Sequence, residues 1–209
     1  MQYFKNKNFI ISTISSIILL AASLVVNFYA GIYATERASN SVTDIILSNT
    51  RAFDVDGIFV YGTFVFWFLV IILCLLKPKV IPFVVKSAAL FILIRSVFIT
   101  LTHIGPFPTQ IPIPSGIINK FSFGGDLFFS GHVGIPFLMA LIFWDNLYLR
   151  ILFIVSSVVA GIVVLLGHLH YSIDVLSAFF ITYTIYHIAK IIFKKDCLIF
   201  KHGLEHLIK

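Results

Sequence analysis

The stretch ILFIVSSVVAGIVVLLGHLHYSID, residues 151–174, decides how the chain is read. Its first part, residues 151–166, carries no charge and is apolar apart from Ser156 and Ser157. In a chain of this composition such a run is a transmembrane helix. Gly167-His168-Leu169-His170 then makes a turn, and a second apolar run covers about residues 171–193. The titratable groups therefore gather where one apolar run ends and the next begins, at the boundary between lipid and water.

Outward from this stretch the same pattern recurs. Apolar runs cover residues 9–34, 58–76, 80–104 and 132–143. The whole chain of 209 residues is 59% hydrophobic and only 11% charged, with a mean hydropathy of +1.03. Soluble domains carry about 25% charged residues. The expected fold is all-α: a polytopic membrane helix bundle with six transmembrane helices, forming a single membrane domain over 1–209. A signal peptide is the competing reading of the first run, with Ile32-Tyr33-Ala34 as its cleavage site. The run is longer than the roughly 7–15 residues of a signal peptide's apolar region, so it is read as the first span.

The connections are polar. Residues 35–57 hold Glu36, Arg37, Asp44, Arg51, Asp54 and Asp56, and Val42 to Leu47 is expected to form a short helix at the interface. Lys77-Pro78-Lys79 makes a basic turn. The longest loop, 105–131, is broken by Pro106, Pro108, Pro112 and Pro114, then by Ser115-Gly116 and Gly124-Gly125. That proline density means turns and extended backbone. Asp145-Asn146 makes a turn, and 194–209 is a basic tail. No internal repeat is present. Cys74 and Cys197 form neither a disulfide framework nor a zinc pattern.

The net charge of +6 sets orientation here rather than marking a nucleic-acid partner. Six spans put both termini on one side, together with Lys5, Lys7, Lys77, Lys79, Arg150 and the basic tail. The other side holds Arg37, Arg51 and Lys120 against Glu36, Asp44, Asp54, Asp56 and Asp126. The positive-inside rule places the termini in the cytoplasm. Both histidine-bearing stretches, Gly124 to His132 and His170 to Asp174, then fall on the outer face, whether periplasmic, extracellular or luminal.

That shared face points to one site. His170 and Asp174 are four apart, which on a helix puts them on one side. An ionised Asp in lipid costs roughly 2.5–3.5 kcal/mol and requires a partner or water. An Asp that accepts from one imidazole nitrogen leaves the other as a better nucleophile. His132 opens a helix behind Ser130-Gly131, where free N–H groups favour an anion and an imidazole can protonate a leaving oxygen. Gly124, Gly125 and Gly131 let the backbone approach a phosphate. Arg95, inside the third span, can clamp a phosphate or pair with an acid such as Asp126. Other readings stand beside these. A boundary histidine can be structural, and a metal site from His132, His168, His170 and Asp174 is the rival arrangement. His103, His187, His202 and His206 read as interface or tail residues. The small pairs Ser156/Ala160 and Ser157/Gly161 read as helix packing.

The residues resemble a known family. Gly125 to His132 resembles the third signature of the sphingomyelin synthases and their bacterial relatives, and His170 to Val175 the fourth. Arg95 to Thr102, with Pro106 after it, resembles the second. Val42-Thr43-Asp44 is a weak echo of the first, without its usual prolines. The likeness covers about residues 40–195. It implies membership of the type-2 phosphatidic acid phosphatase superfamily, as a minimal, bacterial-type member. Val133 stands where the synthases commonly have Thr. Val164 stands where the phosphatases have an Arg six residues before the nucleophilic His.

The resemblance implies His170 as nucleophile, Asp174 orienting it and His132 as proton donor and acceptor. Arg95, Gly125, Asp126, Ser130, Gly131 and Tyr171 are the expected substrate-binding residues. No metal or cofactor is expected. The expected reaction moves a phosphocholine- or phosphoethanolamine-type headgroup, through a phosphohistidine, from a membrane phospholipid donor to a lipid acceptor such as ceramide or diacylglycerol. The alternatives are a lipid phosphatase or phospholipase C-type hydrolase on the same site, and a non-enzymatic transporter or lipid-binding protein.

Overall fold

The computed structural model describes residues 3–111 and 125–204, and those residues carry seven α-helices and no strand. They are α1 (Lys7–Glu36), α2 (Asp56–Leu76), α3 (Ile81–Leu101), α4 (Gly131–Ile142), α5 (Leu147–Leu166), α6 (Ser172–Ile192) and α7 (Lys194–His202). The helix starts follow ordinary capping chemistry. Asn6 accepts from the Phe9 N–H at α1 and Asn146 from the Leu149 N–H at α5. Pro82 sits in the first turn of α3, where a missing N–H costs nothing.

Five of these helices are long and apolar enough to cross a membrane, so the chain is an integral membrane protein. The sixth apolar helix, α4, has 12 residues. At about 1.5 Å per residue it spans roughly 18 Å, short of a hydrocarbon core of about 30 Å. It lies at the bundle's centre, packed against α3, α5 and α6. Nine of its residues are buried, and the preceding segment adds buried Leu127, Phe129 and Ser130. Gly134 makes this depth possible: a Cβ there would lie 2.5 Å from the Phe91 ring on α3 and 2.8 Å from Thr182 Oγ1 on α6. On α5, Ser157 donates to the Val133 carbonyl of α4 at 2.8 Å.

The outer helices face lipid. α1 packs along α3 through Ala30, Ala34 and Ile99. α2 is attached lightly, and Val70 is its one buried residue. The aliphatic and aromatic side chains left exposed on α1, α2, α5 and α6 are what a bilayer covers.

Three details differ from the sequence reading. Residues 42–47 do not form an interfacial helix. Asp44 Oδ1 accepts from the Ile46 and Leu47 N–H groups, which turns the chain into a 3₁₀ turn, Leu47–Asn49, with Leu47 buried. The third span stops at Leu101, because residues 102–111 run non-helical past Pro106 and Pro108. The tail begins with α7, which is held by a network the sequence reading passed over. Lys86 of α3 reaches Asp196 Oδ2 at 2.7 Å and Ser12 Oγ at 2.9 Å, and Ser12 donates to Asp196 Oδ1 at 2.5 Å. Pro112, Pro114, Ser115, Gly116, Lys120, Gly124, His206 and Lys209 lie outside the described residues.

Candidate active site

The site is built where the connections at one end of the bundle meet the start of α6. Ser39 N–H donates to the His103 carbonyl and Gly105 N–H to the Asn40 carbonyl, joining the ends of α1 and α3. Tyr171, 1% exposed, donates its hydroxyl proton to the Gly105 carbonyl at 2.8 Å and accepts from the Val42 N–H at 3.3 Å. Two carboxylates satisfy the first N–H groups of α6: Asp44 Oδ2 takes Ser172 N–H at 2.7 Å, and Asp174 Oδ2 takes Tyr171 N–H at 2.9 Å. Both suit the positive end of a helix. Burial alone would raise the Asp44 carboxyl. The donors at Leu47, Ser172 and Ile46 outweigh it and hold Asp44 below the usual carboxylate range.

His170 precedes the helix rather than lying on it, which corrects the shared helix face expected of His170 and Asp174. Its Nδ1 is 2.9 Å from the Leu127 carbonyl and 3.5 Å from Asp174 Oδ2. A carbonyl can only accept, so Nδ1 carries a proton, and in the neutral ring the lone pair is on Nε2. Asp174 is fully buried, and its Oδ1 has no hydrogen-bond partner among the described residues. The Ser130 N–H donates to the Asp174 carbonyl at 3.2 Å, tying the start of α4 to the first turn of α6. The Ser130 hydroxyl is likewise buried and unpartnered among the described residues.

Arg95 rises from α3 to the segment before α4. Nε donates to the Phe129 carbonyl at 2.9 Å, and the terminal nitrogens reach Asp126 Oδ2 at 3.2 and 3.3 Å and the Asp126 carbonyl at 2.6 Å. Of the two roles open to Arg95, pairing with Asp126 is the one the geometry displays. Burial pushes the Asp126 carboxyl up, while Arg95 and His170 pull it back. Gly131 lies beside the guanidinium, where a Cβ would stand 3.4 Å from Nε, an ordinary contact. Gly125 does something else. A Cβ there would lie 2.6 Å from the Ala34 carbonyl, so this glycine docks the segment on the end of α1.

His132 lies against Phe59 of α2, ring centroids 4.3 Å apart. One turn on, Pro136 lacks the N–H that would serve the His132 carbonyl. His132, Arg95, Asp126 and Gly131 form one end of a cavity of about 480 Å³ between α1, α2, α3, α4 and α5. Its remaining walls are mostly apolar, Phe66 and Phe153 among them, and include Val164. His170 is not among the lining residues, but its imidazole interacts electrostatically with that of His132. His168 turns away from both. It adopts φ 53° and sets its ring nitrogens on Thr109 and Thr50. The metal arrangement that would use it is not assembled: among the described residues, no three His, Cys, Asp or Glu side chains are placed to hold an ion.

This end of the bundle, from the segment before α4 through α6, is also where a family likeness falls. Residues 124–191 match the family model described as PAP2 superfamily C-terminal. The match supports membership of the type-2 phosphatidic acid phosphatase superfamily. No curated protein and no solved structure matches the chain. The PAP2 segment contains His132, His170 and Asp174, with Asp126, Ser130, Gly131 and Tyr171. Arg95 and Asp44 come to it from outside.

Sequence reasoning missed two participants. The Leu127 carbonyl leaves no trace in residue identity, because every residue has one. Phe59 was one aromatic among 23 phenylalanines, and only its ring contact with His132 sets it apart.

Proposed function

We propose that this chain is an integral-membrane lipid phosphotransferase. It moves a phosphocholine- or phosphoethanolamine-type headgroup from a glycerophospholipid to the hydroxyl of a second lipid, such as ceramide or diacylglycerol. The observation that carries the proposal is a mostly apolar cavity of about 480 Å³ with His132, Arg95 and Asp126 at one end, together with a His170, outside its lining, whose Nδ1 proton is fixed by a carbonyl. The PAP2 match supports phosphatase or phosphotransferase chemistry in general. The synthase-like branch rests on the resemblance of the motifs.

In this mechanism His170 Nε2 attacks phosphorus. The N–P bond forms as the bond to the diacylglycerol oxygen breaks, and His132 gives that oxygen its proton. The Leu127 carbonyl and the Asp174 carboxylate stabilise the positive charge that develops on the His170 ring. His132 then takes the proton of the acceptor hydroxyl, whose oxygen displaces the phosphohistidine. With water as acceptor, the same steps make a hydrolase, the second reading that the PAP2 match favours.

Charge separates the donors. Arg95 is the one guanidinium at the cavity, and Asp126 largely offsets it. The usual phosphatase Arg position holds apolar Val164. A guanidinium already engaged by a carboxylate suits a phosphodiester with one negative charge better than a monoester with two. The positive-inside count supports an outward-facing site with cytoplasmic termini.

The test is to supply purified protein with phosphatidylcholine, phosphatidylethanolamine or phosphatidic acid, each with labelled ceramide or diacylglycerol, and to identify products by mass spectrometry. A labelled lipid bearing the donor's headgroup is the expected result. Free phosphate or free phospho-headgroup without it would make the chain a hydrolase. No product from any donor would reject the enzyme reading.

A further inference from the structure

The hydroxyls of α1 are quenched locally. Ser16, Ser23 and Thr35 return their protons to carbonyls three or four residues back, and Ser12 bonds Asp196. Asn27 is different. It lines the cavity, and among the described residues its side chain has one polar neighbour, Ser96 Oγ, at 3.5 Å. Ser96 has a single proton, and the Ile92 carbonyl at 2.8 Å claims it, so the Asn27 amide turns one N–H to the Ser96 oxygen. The second amide N–H has no hydrogen-bond partner among the described residues. An unmet amide donor at membrane depth is costly.

The rest of the lining shows how unusual this is. Thr63 donates to the Phe59 carbonyl at 2.7 Å and Ser156 to the Leu152 carbonyl at 2.8 Å, so these wall hydroxyls are satisfied within their own helices. Asn27 stands level with Ser96, hence with the base of Arg95, whose guanidinium reaches out to residues 126–129. Along the cavity the order is imidazole and guanidinium, then a carboxamide with one unmet N–H, then apolar wall. A lipid has the same order: phosphate, acyl carbonyl, chain.

We infer that Asn27 is a specificity-determining residue, whose side-chain N–H donates to an acyl carbonyl of the bound lipid and so selects acyl-linked over ether-linked lipids. The inference rests on the reading of the cavity as a lipid phosphotransferase site. The carbonyl belongs either to the glycerophospholipid donor or to the lipid acceptor, and the two sources are separable.

The test measures binding without turnover. The background is His170→Ala with Trp144→Phe, which leaves Trp67, a cavity-wall residue, as the only tryptophan of the two in the chain. Brominated phosphatidylcholine in detergent micelles quenches it, and unlabelled competitors restore the signal. The competitors are diacyl against dialkyl phosphatidylcholine, and diacylglycerol against dialkylglycerol. In one of the two pairs the acyl form is expected to compete about three- to tenfold better, the range of one net hydrogen bond. Asn27→Leu, or Asn27→Ala if the leucine variant does not fold, brings that ratio to about one. Asn27→Gln, which keeps the donor, restores part of it. Ser96→Ala leaves it in place. The pair that responds names donor or acceptor. A ratio near one in the background, a ratio that survives the loss of Asn27, or an equal collapse in Ser96→Ala would overturn the inference while wild-type turnover left the phosphotransferase reading standing. No quenching by any lipid would overturn the inference, and with no turnover the function reading falls as well.

Discussion

At the scale of single residues, the Leu127 carbonyl and the Asp174 carboxylate compete for one N–H of His170. The carbonyl is nearer, so it sets the tautomer, and Asp174 adds charge. Asp174→Asn keeps an oxygen for the Tyr171 N–H and loses only the charge. Turnover is expected to fall about 10- to 100-fold, the worth of one charged hydrogen bond, with little change in melting temperature; an unchanged rate would leave Asp174 a helix cap. Asp174→Ala also removes the cap and adds about 1 kcal/mol of destabilisation. Arg95→Lys cannot reproduce the fork on Asp126 and Phe129. It is expected to lower stability by about 1–3 kcal/mol, read by thermal unfolding in detergent. His132, His170, Asp174 and Arg95 were legible in the sequence because charged and imidazole groups are rare in apolar runs. What each one bonds was not. Gly125 was expected at a phosphate and instead lies on the carbonyl of Ala34, a contact between segments about 90 residues apart that no local pattern encodes.

At the scale of elements, hydropathy located the spans because each long apolar run became a helix with ends close to the expected ones. It gave α4 the right length but not its meaning. A run of 12 residues is too short to cross alone, and its burial depends on Gly134 meeting Phe91 and Thr182. Gly134→Ala forces the Phe91 ring and Thr182 to move, and a cost of about 1–3 kcal/mol is expected, seen as a lower unfolding temperature. The docking of α7 was hidden for another reason. Lys86 and Asp196 are 110 residues apart, and neither residue announces the other. Lys86→Met leaves Asp196 buried beside Ser12 without its cation and is expected to destabilise by about 3 kcal/mol. The double variant Lys86→Met/Asp196→Leu recovers most of that. Equal losses in the single and double variants, measured by thermal unfolding, would mean that the pair does not hold α7.

At the scale of the whole molecule, the connections at the site's end of the bundle are sewn together by groups that titrate, so acid should open that end first. His168 is buried, and burial holds its ring below the ordinary imidazole value of about 6.5, although Asp44 pulls the other way. A depressed histidine favours the neutral form in the fold. Its contribution is full above about pH 6.5 and is lost as pH falls through its lower, folded value. Asp44, held below 3.8, contributes above that pH and loses its contribution as pH drops further. Unfolding temperature is therefore expected to decline in two stages on acidification. His168→Asn, which tolerates the left-handed backbone at this position, should flatten the upper stage; a two-stage decline unchanged in that variant would assign the upper stage elsewhere. The sidedness that follows from the charge count is tested by a C-terminal tag, expected to be accessible to protease only from the cytoplasmic side.

The most direct measurement of the central claim is headgroup transfer by wild-type protein and by His170→Ala, at matched amounts of inserted protein, with phosphatidylcholine and labelled ceramide or diacylglycerol. The wild type is expected to produce a labelled lipid carrying the donor's headgroup, and His170→Ala to produce none. Transfer that persists in His170→Ala would contradict the assignment of the nucleophile and, with it, the chemistry built around the Leu127 carbonyl.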